Sequence, residues 1–398
     1  MRRRQWLTAA AAAPLAGVAW QGVRAAEPIV LGAVHAMSGP LAVSEWVFAE
    51  ALQMAVDEVN EQGGVLGRPL QLELRNSDSN DALASAHAET LFSGQQAAAV
   101  FGGWASETRQ AITAQAEAVN GLYFYPGTNE DAVFSQHAVY GSAPLPLMMP
   151  FAVRYLLRNY GGLSVRWVLL GMESGFSAAM HDQLRASLAA RGVPPEAIME
   201  RRVPYGFDAF DELVVQSVQH GHNARPVVIS SLEGIAALRW FRALSGAGLS
   251  AQDLPVFGVG LSEEELRMHD PSLVMGHMAL WSYFHTLGGA SAERFRQRWA
   301  MHARRRRLPG HTERPLTTDP MEASYLAVWL WAKAATRAGS IAAPAVRAAL
   351  PGVALTAPSG ATVRMSRINH CLQRPLMVGR ARRDGLFDVV ARSDELRR

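Results

Sequence analysis

Apolar positions return along this chain in two rhythms that alternate. Ile29 to Val34 is an apolar run of strand length, followed by the loop Ser38-Gly39-Pro40. From about Val43 to Glu61, Val47, Ala51, Met54, Ala55 and Val59 recur at helical spacing until Gly63-Gly64 stops them. Leu70, Leu72 and Leu74 then alternate as a strand. A helix near Ala82 to Phe92, a buried strand Ala97 to Phe101, a helix from Glu107 to Val119 and a strand Leu122 to Tyr125 complete a first series. A second series follows Pro144, with strands at Arg166 to Leu170, Met199 to Val203 and Pro226 to Ser230. Helices at Ala178 to Ala190, Phe210 to Gln219 and Ile235 to Gly246 separate them. Such alternation predicts parallel strands with crossover helices, and two series predict two lobes.

Pro255 to Gly258 reads as another strand of the second series, and Gly276 to Trp281 as the segment that carries the chain back to the first lobe. The sharpest later helix opens at Asp319, with Pro320 at its first position and Glu322 where a capping box wants a carboxylate; Gly339 stops it. Thr362 to Met365, Leu376 to Arg380 and Leu386 to Ala391 read as closing strands, the last two turned by Asp384-Gly385. The expected division places 27–143 with 278–355 in lobe one and 144–277 with 356–398 in lobe two.

Length agrees with this, because 398 residues exceed the roughly 250–300 at which a single core stops growing. The start, "MRRRQWLTAAAAAPLAGVAWQGVRAAEP", has the basic, apolar and small-residue order of a secretory signal over residues 1–26, with cleavage expected near Ala25 and export to the periplasm. Arg3-Arg4-Gln5-Trp6-Leu7 resembles a twin-arginine export motif, and an ordinary secretory signal or an uncleaved anchor are the other readings. Cys371 is the single cysteine, so no internal disulfide forms. Net charge is only +3, and the arginines are spread along the chain, which argues against a nucleic-acid partner. Arg304 to Arg307 is read as an exposed helix end, with a docking patch as the lesser reading.

The segment "VFGGWASETR" poses the chemical question, since a serine follows two glycines at a strand end. A nucleophile elbow around Ser106 needs glycines where Trp104 and Thr108 stand. Metal and phosphate-loop motifs are missing too, so neither an enzyme nor a cofactor is expected. Placement is more informative. In parallel sheets ligands lie beyond the carboxyl ends of strands, where Gly102 to Ser106 and Tyr125 to Glu130 fall. Ser106 there can cap the next helix and offer its hydroxyl to a small molecule.

Taken in order, "GGVLGRPLQLEL", "VFGGWASETR", "NGLYFYPG", "PVFGVGLSEEEL", "GHMALWSYF" and "TDPMEASYLAVW" resemble the urea and short-chain-amide solute-binding proteins of ABC transporters. These belong to the branched-chain amino-acid-binding group of type I periplasmic binding proteins. The resemblance implies an α/β fold of two Rossmann-like lobes with parallel sheets, joined by a three-strand hinge around a ligand cleft. It also implies partners: a small-molecule ligand, and the permease and ATPase subunits in the membrane. By resemblance, Trp104, Ala105 and Ser106 hold ligand from the first lobe with Tyr125, Gly127 and Thr128, while Glu173, Phe176, Ser262 and Glu263 close from the second. Ala105 stands where those proteins usually carry threonine, and Glu173 to Ser177 replaces a segment with two tyrosines, which implies an altered pocket. Urea or a short-chain amide is the first expectation. A branched-chain or other small amino acid, with Glu233, Glu263 or Glu173 on its ammonium, is the alternative, and an amide-sensing regulator is a further one.

Overall fold

Strand β1 (Ile29–His35) is parallel to β2 (Leu70–Asn76) on one side and β3 (Val100–Gly102) on the other. β4 (Tyr123–Tyr125) and β5 (Ala138–Tyr140) extend the sheet in the order β2-β1-β3-β4-β5. Helices α1 (Ala42–Glu61), α2 (Asp81–Glu89) and α3 (Ser106–Ala118) make the crossovers. A computed structural model describes residues 26–130, 134–221, 224–267 and 270–393, and the expected export segment with its cleavage point lies outside them. Among the described residues no helix is long and apolar enough to cross a membrane.

The second sheet is built the same way. After α4 (Leu145–Asn159) come β6 (Arg166–Met172), α5 (Gly175–Ala189), β7 (Ile198–Val203), α6 (Phe210–Gly221), β8 (Pro226–Ser231), α7 (Gly234–Gly246), β9 (Val256–Gly258), the short α8 (Glu263–Arg267) and β10 (Met278–Trp281). Then follow α9 (Ala290–Arg306), α10 (Asp319–Ala338), α11 (Ala343–Ala349), β11 (Ala354–Thr356), β12 (Thr362–Met365), β13 (Leu372–Gln373), β14 (Met377–Ala381) and β15 (Phe387–Arg392). The larger sheet runs β15-β14-β10-β9-β8-β6-β7, with only the β10-β14 and β14-β15 pairs antiparallel.

Near-continuous apolar strands explain why both sheets are covered on both faces. On β6, Trp167 and Leu169 bury against α4 and α5 with Phe151, Met180 and Leu184, whereas Val168 and Leu170 bury on the opposite face with Trp240 and Phe241 of α7. In the first lobe Phe101 stacks on Phe124 at 4.9 Å, and α10 adds Leu326, Leu330 and Trp331 beside Leu52 and Val56 of α1.

Three expectations change. Residues 278–281 do not return to the first lobe: β10 pairs with β9 and β14, so the strand stays in the second sheet and the crossing follows it. Residues 356–373 do not join lobe two, because β11, β12 and β13 form a small antiparallel sheet whose Leu355, Val363, Met365 and Leu372 complete the first-lobe core. The chain therefore passes between the lobes at 141–144, after β10, and at 374–376. Finally, α10 is capped at Thr318 without a side-chain bond, and Asp319 and Glu322 turn instead to Arg374, because a buried guanidinium claims both carboxylates.

Candidate ligand site

The turn after β3 is what aims Trp104 into the cleft. Gly102 has φ +116° and Gly103 φ +69°, and the Gly103 N–H donates to Val34 O at 2.8 Å. Tyr123 donates its hydroxyl to Gly102 O at 2.7 Å, and Tyr125 donates to Trp104 O at 2.5 Å, so two phenols hold the turn. The Trp104 ring meets Phe48 edge-on at 5.3 Å and lies 6.4 Å from Trp281 of the second lobe. Beyond β4, Thr128 donates to Ala143 O at 2.5 Å, which ties this loop to the first crossing. Opposite stand Phe176 at the start of α5, Glu233 between β8 and α7, Val259-Gly260 after β9, and Trp281, whose Nε1 donates to Leu261 O at 2.7 Å. Phe176, Glu233 and Val259-Gly260 follow the carboxyl ends of parallel strands, and Trp281 is itself the last residue of β10.

Together they enclose a cavity between the lobes, with Leu280, Leu376 and Met148 as further apolar wall and Ser142, Ser282 and Asp319 as polar floor. The cavity volume is about 50 Å³, several times the roughly 10–15 Å³ that one water needs. A molecule of a few heavy atoms fits such a volume.

Of the residues expected from sequence, Trp104, Tyr125, Gly127, Thr128 and Phe176 lie on this wall. Ala105, Ser106, Glu173, Ser262 and Glu263 do not. Ala105 packs behind it with Ala36 and Leu41. Glu173 is exposed, and its backbone N–H donates to Val203 O. Ser262 donates to Glu265, and Glu263 accepts from the His285 N–H at 2.9 Å. Ser142, Asp319, Trp281 and Leu376 are wall residues that were not expected from sequence, where Asp319 reads only as a helix start and Trp281 only as a strand end, because their place on the cavity is set by how the two lobes meet.

Ser106 has a different task from the capping expected of it. Ala105 is the N-cap of α3 and makes no side-chain bond; Ser106 is already helical. Its Oγ accepts the Phe176 N–H from the other lobe at 3.0 Å, and Glu107 Oε1 accepts the Gly175 N–H at 3.2 Å. The first turn of α3 thus satisfies orphan donors at the start of α5, across the cleft. Ser44 adds a further cross-lobe bond, donating to Glu265 Oε1 at 2.6 Å. Ser106→Ala combined with Glu107→Ala removes two closure bonds worth about 1 kcal/mol each. The expected result is a larger radius of gyration for the unliganded protein in small-angle scattering; an unchanged value would show that these bonds do not hold the lobes together.

The electrostatics are one-sided. No basic side chain lines the cavity among the described residues; its charged groups are Glu233 and Asp319. Asp319 is matched by Arg374, but Glu233 Oε2 is buried and meets no partner. Burial, followed by the nearby carboxylates Glu107, Glu45, Glu265 and Glu130, pushes the Glu233 carboxyl up to about 8. Glu263 is likewise pushed up to about 8, chiefly by burial. Near neutral pH the cavity therefore presents a protonated carboxyl, one donor and one acceptor on the same group.

Two α/β lobes that meet over a small internal cavity have the architecture of a binding protein. The chain belongs to the periplasmic binding protein domain family, whose model matches residues 29–397. A curated relative, the Leu/Ile/Val-binding protein homolog 7 of Brucella melitensis, is 33% identical over 123 residues, which are 31% of this chain and 29% of that protein. The chain thus matches less than a third of the relative's length. A leucine-binding protein of Thermotoga maritima superposes with a TM-score of 0.76 at 15% identity, over 92% of this chain and 99% of that one. A solute-binding protein of an ABC transporter from R. palustris, in complex with benzoate, reaches 0.76 at 14% identity, over 92% and 96%. At such identities the superpositions speak for the fold alone.

Proposed function

We propose that the chain is the exported, non-catalytic solute-binding component of an ABC transporter, working in the periplasm. It captures urea or a short-chain amide by lobe closure and presents it to a membrane permease and its ATPase. The observation that carries the solute class is Glu233: a half-buried side chain whose Oε2 is buried without a partner, its carboxyl pushed up to about 8, on a wall without a basic side chain among the described residues. Urea or a primary amide offers a carbonyl and an N–H along one edge, so it both accepts from and donates to a neutral carboxyl. An α-amino acid also brings a carboxylate, which this wall gives no cation. Trp104, Tyr125, Gly127, Thr128 and Phe176 are proposed as contacts, while Ser106 contributes by latching the lobes.

The amino-acid reading keeps one specific support. The same Glu233, once ionised, is a partner for an ammonium group, and Val259, Leu280 and Leu376 suit an aliphatic side chain. The curated relative and the Thermotoga protein carry leucine in their names.

A thermal-shift screen against urea, formamide, acetamide and the amino acids tests the proposal, since a ligand stabilises by RT ln(1 + [L]/Kd). The pH dependence adds a sign. An amide binds neutral Glu233, so its affinity falls as pH rises through about 8. An amino acid binds the ionised form and releases a proton, so its affinity grows as pH approaches about 8 from below. Stabilisation by leucine or valine alone, strengthening with pH, overturns the amide assignment.

A further inference from the structure

The three passages between the lobes meet at one side chain. Arg374 stands between β13, in the first lobe's small sheet, and β14, in the second lobe's sheet, so it begins the third passage. It is buried. One terminal nitrogen donates to Gly141 O, which opens the first passage, at 3.2 Å, and to Asp319 Oδ2 at 3.2 Å. The other donates to Asp319 Oδ1 at 2.7 Å and to Glu322. Asp319 closes the second passage, and its Oδ1 also accepts from the Ser282 N–H, where that passage begins, at 2.9 Å. Glu322 accepts in turn from the Ser359 N–H at 2.6 Å, which anchors the cluster to the first lobe.

The same passages floor the cavity. Ser142 and Ala143 come from the first, Ser282 and Asp319 from the two ends of the second, and Leu376 from the third. Arg374 is not on the wall; it lies behind Asp319. A guanidinium presents its donors in a rigid planar fork, so it fixes angles as well as distances between the groups that it joins. A change of lobe angle moves Gly141, Ser282 and residue 374 relative to one another, and the fork resists that movement.

We propose that Arg374 is the positioning residue of the hinge: it pins the three interlobe passages at a set angle and so shapes the cavity floor through Asp319, without touching the solute. The consequence for solute affinity rests on the cavity being the solute site, whereas the consequence for hinge angle does not.

The test therefore reads hinge angle without any ligand. Spin labels are placed at Ala118→Cys, on the exposed end of α3, and Val215→Cys, on the exposed face of α6. Cys371 does not compete for label, because it is buried and its thiol is pushed up to about 12. Pulsed electron resonance then gives the distribution of interlobe distances. Arg374→Met broadens the distribution and moves it from the parent's, and Arg374→Lys, which keeps the charge but not the fork, lies between the two.

Removing one member of a buried charge cluster leaves the others unpaired and can cost the fold. A second variant avoids this: Arg374→Met, Asp319→Asn and Glu322→Gln together leave no buried charge in the cluster. A cooperatively melting triple variant with a broadened distribution supports the clasp even if the single variant fails to fold. A triple variant that folds and keeps the parent distribution overturns it, as does a folded Arg374→Met with unchanged distances. A wrong choice of solute alters none of these distances, so the two proposals fail separately.

Discussion

Glu233→Gln raises the stability of the unliganded protein at pH 8 and flattens its pH dependence. The sign follows from the proton balance. Glu233 is pushed from an ordinary 4.5 up to about 8 by burial, so between those values the folded protein holds a proton that the unfolded chain has released. Stability therefore falls as pH rises through that window. Glu263 behaves in the same way, from the same cause.

Below pH 6.5 two histidines, the buried His277 and the half-buried His285, act in the opposite sense. His277 and His285 are both held down at about 4 by burial, and they contribute stability that grows as pH rises to 6.5. The clean window is thus pH 6.5 to 8, where each carboxyl costs up to roughly 2 kcal/mol at 1.36 kcal/mol per pH unit. Melting temperatures of the parent, Glu233→Gln and Glu233→Gln/Glu263→Gln across that window give the slopes. A parent whose stability rises there, or a glutamine variant less stable at pH 8, refutes the assignment.

The same substitution separates the solute classes. Glutamine keeps one donor edge and one acceptor edge, so it retains an amide within a few-fold while abolishing the loss of affinity above pH 8. An ammonium-bearing ligand loses its counter-charge and most of its affinity in that variant.

Gly102→Ala is expected to unfold the first lobe at lower temperature than any other single methyl addition near the cleft. At φ +116° a side chain is strained, at about 1–3 kcal/mol. The new Cβ would also lie 2.2 Å from Val34 O and 2.9 Å from His35 Nε2. Val34 O cannot retreat, because it accepts the Gly103 N–H within the turn, and overpacking adds roughly 1–3 kcal/mol more. Denaturant unfolding of Gly102→Ala checks this. A loss below about 1 kcal/mol would mean that the turn is soft and that Trp104 is not held by it.

Much of the fold was legible locally. Apolar periodicity predicts the strands and helices of both series, and the buried faces confirm why: β6 alternates Trp167 and Leu169 against Val168 and Leu170, each pair meeting its own helix layer. Gly339 ends α10 with a left-handed φ of 62°, as a stop signal should. Where local rules misled, a distant partner had outbid them. Asp319 and Glu322 have capping-box spacing, yet a single buried arginine 52 and 55 residues away takes both carboxylates. Ser106 has the place of a cap, yet the helix that it serves begins at Gly175 in the other lobe. Residues 278–281 and 354–373 are short strands, and nothing within so few residues states which sheet edge will accept them.

By itself, then, the sequence determined two α/β lobes and the strand ends that face a cleft, because periodicity and glycine placement act over a few neighbouring residues; the five expected residues that line the cavity came from the family resemblance. Only the tertiary structure decided which lobe each late strand joins, that Ser106 and Glu107 latch the cleft, and that Glu233 and Asp319 share one cavity. Those outcomes depend on burial and on charges brought together from several elements. A carboxyl becomes a neutral hydrogen-bonding group only once the whole chain has folded around it and removed its water.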